Sequence, residues 1–156
     1  MKQPNVKVTK EPEEINPLGS LAAELEQQEN LEDLKFKEIV DLMARSSPHN
    51  HPQLLDVKNW KEKFGKIFIS SVVDETEFYI WRPILRQEWK GMLGAGYVDD
   101  MMRQEALLDI CLLFPKAETV KHKRPAGVLS ALETKIMFQS GFVSSEFLLS
   151  SIREIK

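Results

Sequence analysis

A chain of 156 residues is long enough for one domain with its own core and too short for two ordinary domains plus linkers. Its hydrophobic fraction of 42% and charged fraction of 29% are those of a globular protein and argue against wholesale disorder. A formal net charge of −3 lacks the excess of Lys and Arg that neutralising phosphates demands, so proteins rather than nucleic acids are the expected partners.

Met1 to Pro17 carries Pro4, Pro12 and Pro17 and few apolar residues. Such a composition cannot bury enough surface to offset chain entropy, and residues 1–17 read as a mobile arm. Residues 18–45 read as an acidic amphipathic helical segment. Leu18, Leu21, Ala22 and Leu25 follow helical spacing, and Phe36, Ile39, Val40 and Met43 form a second stripe. Asn30 is placed to cap the second helix, with Asp33 in its first turn. Between residues 11 and 38 stand nine acids against Lys35 and Lys37, seven net negative charges, whereas the chain from residue 39 onward is nearly neutral. Two destinations are open to both stripes, the protein's own core or a partner. Repulsion among the acids opposes packing of the arm on itself and is relieved by a basic surface. The arm, Met1 to about Arg45, is therefore expected to dock outside the protein's own core.

Residues 46–53 read as a linker, because Pro48 and Pro52 cannot continue a helix, and residues 54–156 as a globular α+β domain. His49 and His51 supply two of the three or four ligands a zinc site needs, with no Cys nearby, so no metal is expected there. A short helix, about Val57 to Phe64, ends at Gly65. Lys66–Val73 (KIFISSVV) and Glu77–Ile84 (EFYIWRPI) are β-rich runs around the acidic turn Asp74-Glu75-Thr76, a hairpin signal. Pro83 requires the second strand to end near it or to lie on an edge.

Helical patterns follow at Ile84–Leu93 and from Asp99 or Asp100 to Pro115, the latter with Met101, Leu108, Cys111 and Leu112 on one face. Lys116–Arg124 reads as a polar, basic loop. Ser130 and Glu133 form a capping box for a helix over Ala131–Ser140, with Gly141 and Phe142 as its Schellman end. A last helix opens at Ser144 or Ser145, with Phe147, Leu148, Ile152 and Ile155 as its apolar face. The fold class expected is α+β, a mostly helical single domain with one β-hairpin packed on the helices that follow and an acidic, partly helical N-terminal arm.

Chemistry-bearing motifs are scarce. The chain has no G-x-S-x-G, H-E-x-x-H, Walker loop or Cys/His cluster. Gly91, Gly94 and Gly96 have the spacing of neither a P-loop nor a dinucleotide loop. Asp99 and Asp100 are accounted for by capping, and Trp60, Trp81 and Trp89, without an interleaved basic stripe, by packing of the hairpin on its helices. The single cysteine, Cys111, excludes an internal disulfide and a multi-thiolate zinc site and reads as a buried, inert thiol. No catalytic residue, cofactor, metal or small-molecule substrate is expected. No stretch approaches the roughly 20 apolar residues of a membrane span, and MKQPNVKVTK lacks the apolar region of a signal peptide, so a cytoplasmic protein is expected.

Three blocks carry a further signal. Phe78 to Lys90 (FYIWRPILRQEWK) runs from a strand into Arg-Pro and on to Glu, an aromatic and Lys. Glu105 to Lys116 (EALLDICLLFPK) ends a helix in Cys, apolar residues and Pro, and Ala126 to Phe142 (AGVLSALETKIMFQSGF) runs from Ala-Gly through a helix to Ser-Gly-Phe. Over roughly Lys66 to Phe142, about half the chain, this order resembles small proteins encoded among the tail genes of large tailed bacteriophages, described as tail assembly chaperones or as baseplate and virion proteins. The resemblance implies a non-enzymatic factor that binds the tape-measure protein in the host cytoplasm and keeps its apolar helices soluble until tube subunits replace them. An apolar groove between hairpin and helices, with the adaptable Met92, Met101, Met102 and Met137, suits such work.

The long acidic arm departs from that family's pattern. An added arm opens the alternative of a permanent structural subunit of the baseplate or tail, carried in the virion. A small nucleic-acid-binding or regulatory protein is the alternative from another class. Leu21, Leu25, Phe36, Ile39 and Met43 on the stripes, with Arg82 and Trp89 at the corner after the hairpin, are the candidate partner-binding residues. Arg82 is also placed to pair with Glu88 across Pro83 and so fix the angle between strand and helix.

Overall fold

The computed structural model describes residues 17–72 and 77–142. The elements are α1 (Pro17–Ser46), α2 (Leu54–Phe64), β1 (Phe68–Ser71), β2 (Phe78–Trp81), α3 (Arg86–Gly94), α4 (Asp100–Cys111), β3 (Leu112–Phe114), α5 (Ala117–Lys123) and α6 (Ala126–Gln139). The class is α+β and mostly helical. The chain divides into two compact units, Met1–Lys35 and Phe36–Lys156, so the boundary falls inside α1 and not in the expected linker at residues 46–53.

The second unit is organised by β2. Its sequence, Phe-Tyr-Ile-Trp, is apolar at every position, and a strand of that kind needs cover on both faces. Tyr79 and Trp81 enter one core with Ile84, Met92, Leu107, Leu108, Cys111, Leu112, Val120, Val128, Leu129, Leu132 and Ile136, contributed mainly by α3 to α6. Ile80 enters a second core with Met43 and Val57, against which Phe36, Ile39, Val40, Trp60, Ile67, Ile69, Phe78, Leu113 and Phe114 pack. The hairpin is thus covered by the following helices on one face and by α2 and the second half of α1 on the other.

The hairpin pairs antiparallel, Phe68 opposite Trp81 and Ser71 opposite Phe78. Phe68 and Trp81 stack with ring centroids 4.9 Å apart, and the Trp81 indole N–H donates to Ser70 Oγ at 2.9 Å. A third strand, unforeseen in the sequence, completes the sheet in the order β1-β2-β3. The helical pattern expected up to Pro115 stops at Cys111, where the chain turns extended at Leu112 (φ −77°, ψ 123°) and pairs with Ile80 and Trp81. Pro115 disfavours helical geometry in the residue before it, and the apolar run Leu112-Leu113-Phe114 fills both faces of the sheet.

Two further boundaries differ. The basic stretch expected as a loop contains α5, which buries Val120 completely and places Glu118 in its first turn and Lys121, His122 and Lys123 in its last, in accord with the helix dipole. Helix α6 starts at Ala126, five residues before the expected position, with Pro125 as its N-cap. Ser130 therefore lies inside the helix, and Glu133 leaves the capping role to accept from Arg103 at 3.2 Å and from the Gln104 amide at 2.6 Å on α4.

Other local signals are realised. Gly65 ends α2 at φ 74°, and the Asp99 carboxylate accepts from the Met102 amide at 2.8 Å. At the end of α6, Gly141 takes φ 94°, its amide donates to Phe138 O at 3.1 Å and the Phe142 amide to Met137 O at 3.0 Å, the two bonds of a Schellman motif. The turn expected at 74–76, the arm expected at residues 1–17 except Pro17, which opens α1, and the last helix expected after Ser144 lie outside the described residues.

Candidate functional site

The corner between β2 and α3 is built by four consecutive demands. β2 ends at Trp81, before Pro83, which has no N–H to continue a ladder. The Arg82 amide donates to Cys111 O at 3.0 Å, which anchors the chain to the end of α4. The Ile84 amide donates to Ser140 Oγ at 2.9 Å, a link to the end of α6. The Leu85 amide donates to Glu88 Oε2 at 2.9 Å, so Glu88 closes the first turn of α3.

Arg82 and Glu88 meet as a two-pronged pair, Nη1 to Oε2 at 2.9 Å and Nη2 to Oε1 at 2.7 Å. Arg82 is only 6% exposed and lies over the Phe64 ring, 4.6 Å from its centroid. The hydrogen bond to Glu88 raises the Arg82 pKa, and the same bond holds the Glu88 carboxyl below the usual carboxylate range, aided by the Leu85 amide. Arg82 was a candidate for partner contact. Its burial and its pairing make it a residue of the fold instead.

The other candidates separate into two groups. Phe36 and Ile39 pack on the second core and Met43 is 3% exposed within it, so the expectation that the whole arm to Arg45 docks outside the protein's own core is overturned for residues 36–45. Their stripe covers the face of the sheet that the following helices leave bare. Leu21 and Leu25 are 53% and 55% exposed, and Leu31 and Leu34 are exposed as well. Glu24, Glu26 and Glu32 stand exposed among them. Trp89 is half-buried, packed against the first core and 5.0 Å from the Phe142 ring.

The groove expected between hairpin and helices takes the form of a slot of about 100 Å³, lined by Phe36, Ile39, Val57, Ile67, Phe68, Ile69 and Ile80 with Lys61 at its polar side. The methionines do not line it. Met92 is buried, Met137 packs against the first core, and Met101 and Met102 are exposed on α4.

Several other titratable groups form structural contacts. Cys111 is wholly buried, and burial pushes its thiol up to about 12, which removes it as a nucleophile near neutral pH. Tyr79 is driven upward by burial and by its bond to Glu77 at 2.7 Å; Glu77 also pairs with Arg124. Lys121 bridges Asp109 at 2.7 Å, and His122 meets Glu118 at 2.7 Å. Among the described residues no group of three or more His, Cys, Asp or Glu side chains is placed to hold a metal, and no helix is long and apolar enough to cross a membrane. Neither Ser140 nor Glu77 is legible as important from its local sequence, since each gains its role from a partner far along the chain.

No protein-family model, no curated protein and no solved structure matches this chain. Its most distinctive surface is the acidic helix with leucines in water.

Proposed function

We propose that the protein is a non-enzymatic protein-binding factor of phage tail assembly, a chaperone that holds the tape-measure protein. The observation that carries the reading is the exposure of Leu21, Leu25, Leu31 and Leu34 on one acidic helical stretch. Leucines left in water in such a number mark a surface that a protein partner buries. The acids among them favour a basic amphipathic partner and make its capture fast and salt-sensitive. The resemblance of the blocks at Phe78–Lys90, Glu105–Lys116 and Ala126–Phe142 to phage tail-gene proteins supplies the partner class.

The test is co-expression of the tape-measure protein of the same phage with the full chain and with a chain lacking residues 1–35. The full chain should keep the tape-measure protein soluble and co-purify with it, less so as salt rises, and the shortened chain should not. Purified virions should contain no copies. Stoichiometric copies in virions would transfer the reading to a permanent subunit of the baseplate or tail, and absence of both properties would sink the tail-assembly reading.

A further inference from the structure

The acidic leucine helix has a chemical complement on the second unit. Leu85, Trp89 and Leu93 succeed one another at i, i+4 and i+8 along α3 and its N-cap, a spacing that makes them one ridge. Leu85 and Leu93 are 62% and 64% exposed, and the ridge continues through Trp89 onto Phe142, itself 45% exposed. Arg86 and Lys90 run beside it, each one position after a ridge residue, and with Gln87 and Gly91 they line an open depression. Neither cation enters an ion pair among the described residues.

Leu21 and Leu25 repeat the i, i+4 spacing of that ridge. Between Pro17 and Lys35 stand five acids, Glu24, Glu26, Glu29, Glu32 and Asp33, against the one base Lys35. Two such helices laid against each other set acid against acid. Laid on α3, the leucines meet leucines and a tryptophan while the carboxylates meet Arg86 and Lys90. We infer that the α3 ridge is the docking site for the acidic helix, residues 17–35, of a second copy of this chain. Helix and receptor are different surfaces, so the contact is heterologous: each added copy brings one free helix and one free receptor, and assembly proceeds past the dimer unless a ring closes. This self-association does not depend on the tail-assembly reading; it occupies the same leucines, so a captured partner and a second copy compete for residues 17–35.

Sedimentation equilibrium on the full chain tests the inference with two variants, Leu21→Asp/Leu25→Asp in the helix and Arg86→Glu/Lys90→Glu at the receptor. All four positions are exposed, so both variants should keep the wild-type circular dichroism and melting. Leu93→Ser gives a second receptor variant of the same expected effect, which decides the matter if the charge reversal disturbs folding. Wild type should gain mass with concentration, less so at high salt, and each variant should associate at least about tenfold more weakly. An equal mixture of helix variant and receptor variant should form a heterodimer and stop there, because each contributes its one intact surface. A wild type that stays monomeric up to about 1 mM, association that survives either variant, or a mixture that stays monomeric would each overturn it.

Discussion

Arg82 is the buried charged residue among those described, and its side chain ties the end of β2 to Glu88 on α3 while sitting over Phe64 of α2. Arg82→Ala leaves Glu88 facing an emptied apolar corner. The expected loss in urea denaturation is about 3 kcal/mol, the low end for breaking a buried pair, because the Glu88 side chain keeps 29% of its exposure. Glu88 also gives the corner a pH signature. Folding holds its carboxyl below the ordinary value of 4.5, first through the Arg82 hydrogen bond, so the unfolded chain takes up its proton earlier as pH falls. The contribution is complete above the ordinary value and is lost as pH drops through the folded one. Glu88→Gln should therefore be less stable than wild type at neutral pH, with the difference narrowing below about pH 4. A difference that stays constant down to acid pH would show that the charge of Glu88 adds nothing. At Cys111 the expectation is inertness: a thiol reagent should modify it only at the rate of unfolding, and rapid labelling of the native protein would contradict its burial.

Among the elements, α6 shows most plainly how a local signal and a tertiary demand share one helix. Its end is local: Gly141 at φ 94° supplies the left-handed residue that the two Schellman bonds require. A Cβ at Gly141 would meet no atom within 4 Å, so Gly141→Ala costs conformational strain alone, about 1 kcal/mol in a thermal or urea melt. A cost near 3 kcal/mol would mean that the position is crowded as well. Its start is not local. Ser130 and Glu133 have the form of a capping box, yet Val128 and Leu129 are buried in the first core, and burying them draws the helix five residues further back. The end of α4 follows the same rule in the opposite direction. Helical periodicity continues through Leu112, but an unpaired edge of β2 was available, and pairing it converts the last turn into β3.

At the scale of the whole molecule, the boundary between the two compact units predicts how truncations behave. Removing residues 1–35 leaves the second unit's cores complete, so the shortened chain should unfold cooperatively with a midpoint within a few degrees of wild type. Removing residues 1–45 strips Phe36, Ile39, Val40 and Met43 from the sheet and exposes Ile80, Ile69 and Phe78. Allowing for the partial exposure of three of those four side chains, the loss is about 5 kcal/mol, comparable with the entire stability of many domains. Thermal melts followed by circular dichroism separate the two shortened chains; equal cooperativity of both would show that α1 contributes nothing to the second core. Met43→Ala in the intact chain should by itself cost about 2–4 kcal/mol, as expected for a fully enclosed methionine.

The sequence by itself determined the elements whose signals are complete within a few residues. These are the stop at Gly65, the antiparallel pairing of the strands Phe68–Ser71 and Phe78–Trp81, the break at Pro83, the Asp99 cap, the Arg82 and Glu88 pair and the Schellman end at Gly141. Each is an exchange between neighbours, and neighbours are visible in one dimension. What the second stripe of α1 packs on was decided only in three dimensions, although one clue was in plain view: Phe78-Tyr79-Ile80-Trp81 has no polar alternation, so it requires cover on both faces. The helices after the hairpin cover one. That the other is covered by Phe36, Ile39 and Met43, and that the leucines before them remain in water, depends on how much apolar area each stripe finds opposite it, a quantity that exists only once the sheet has formed.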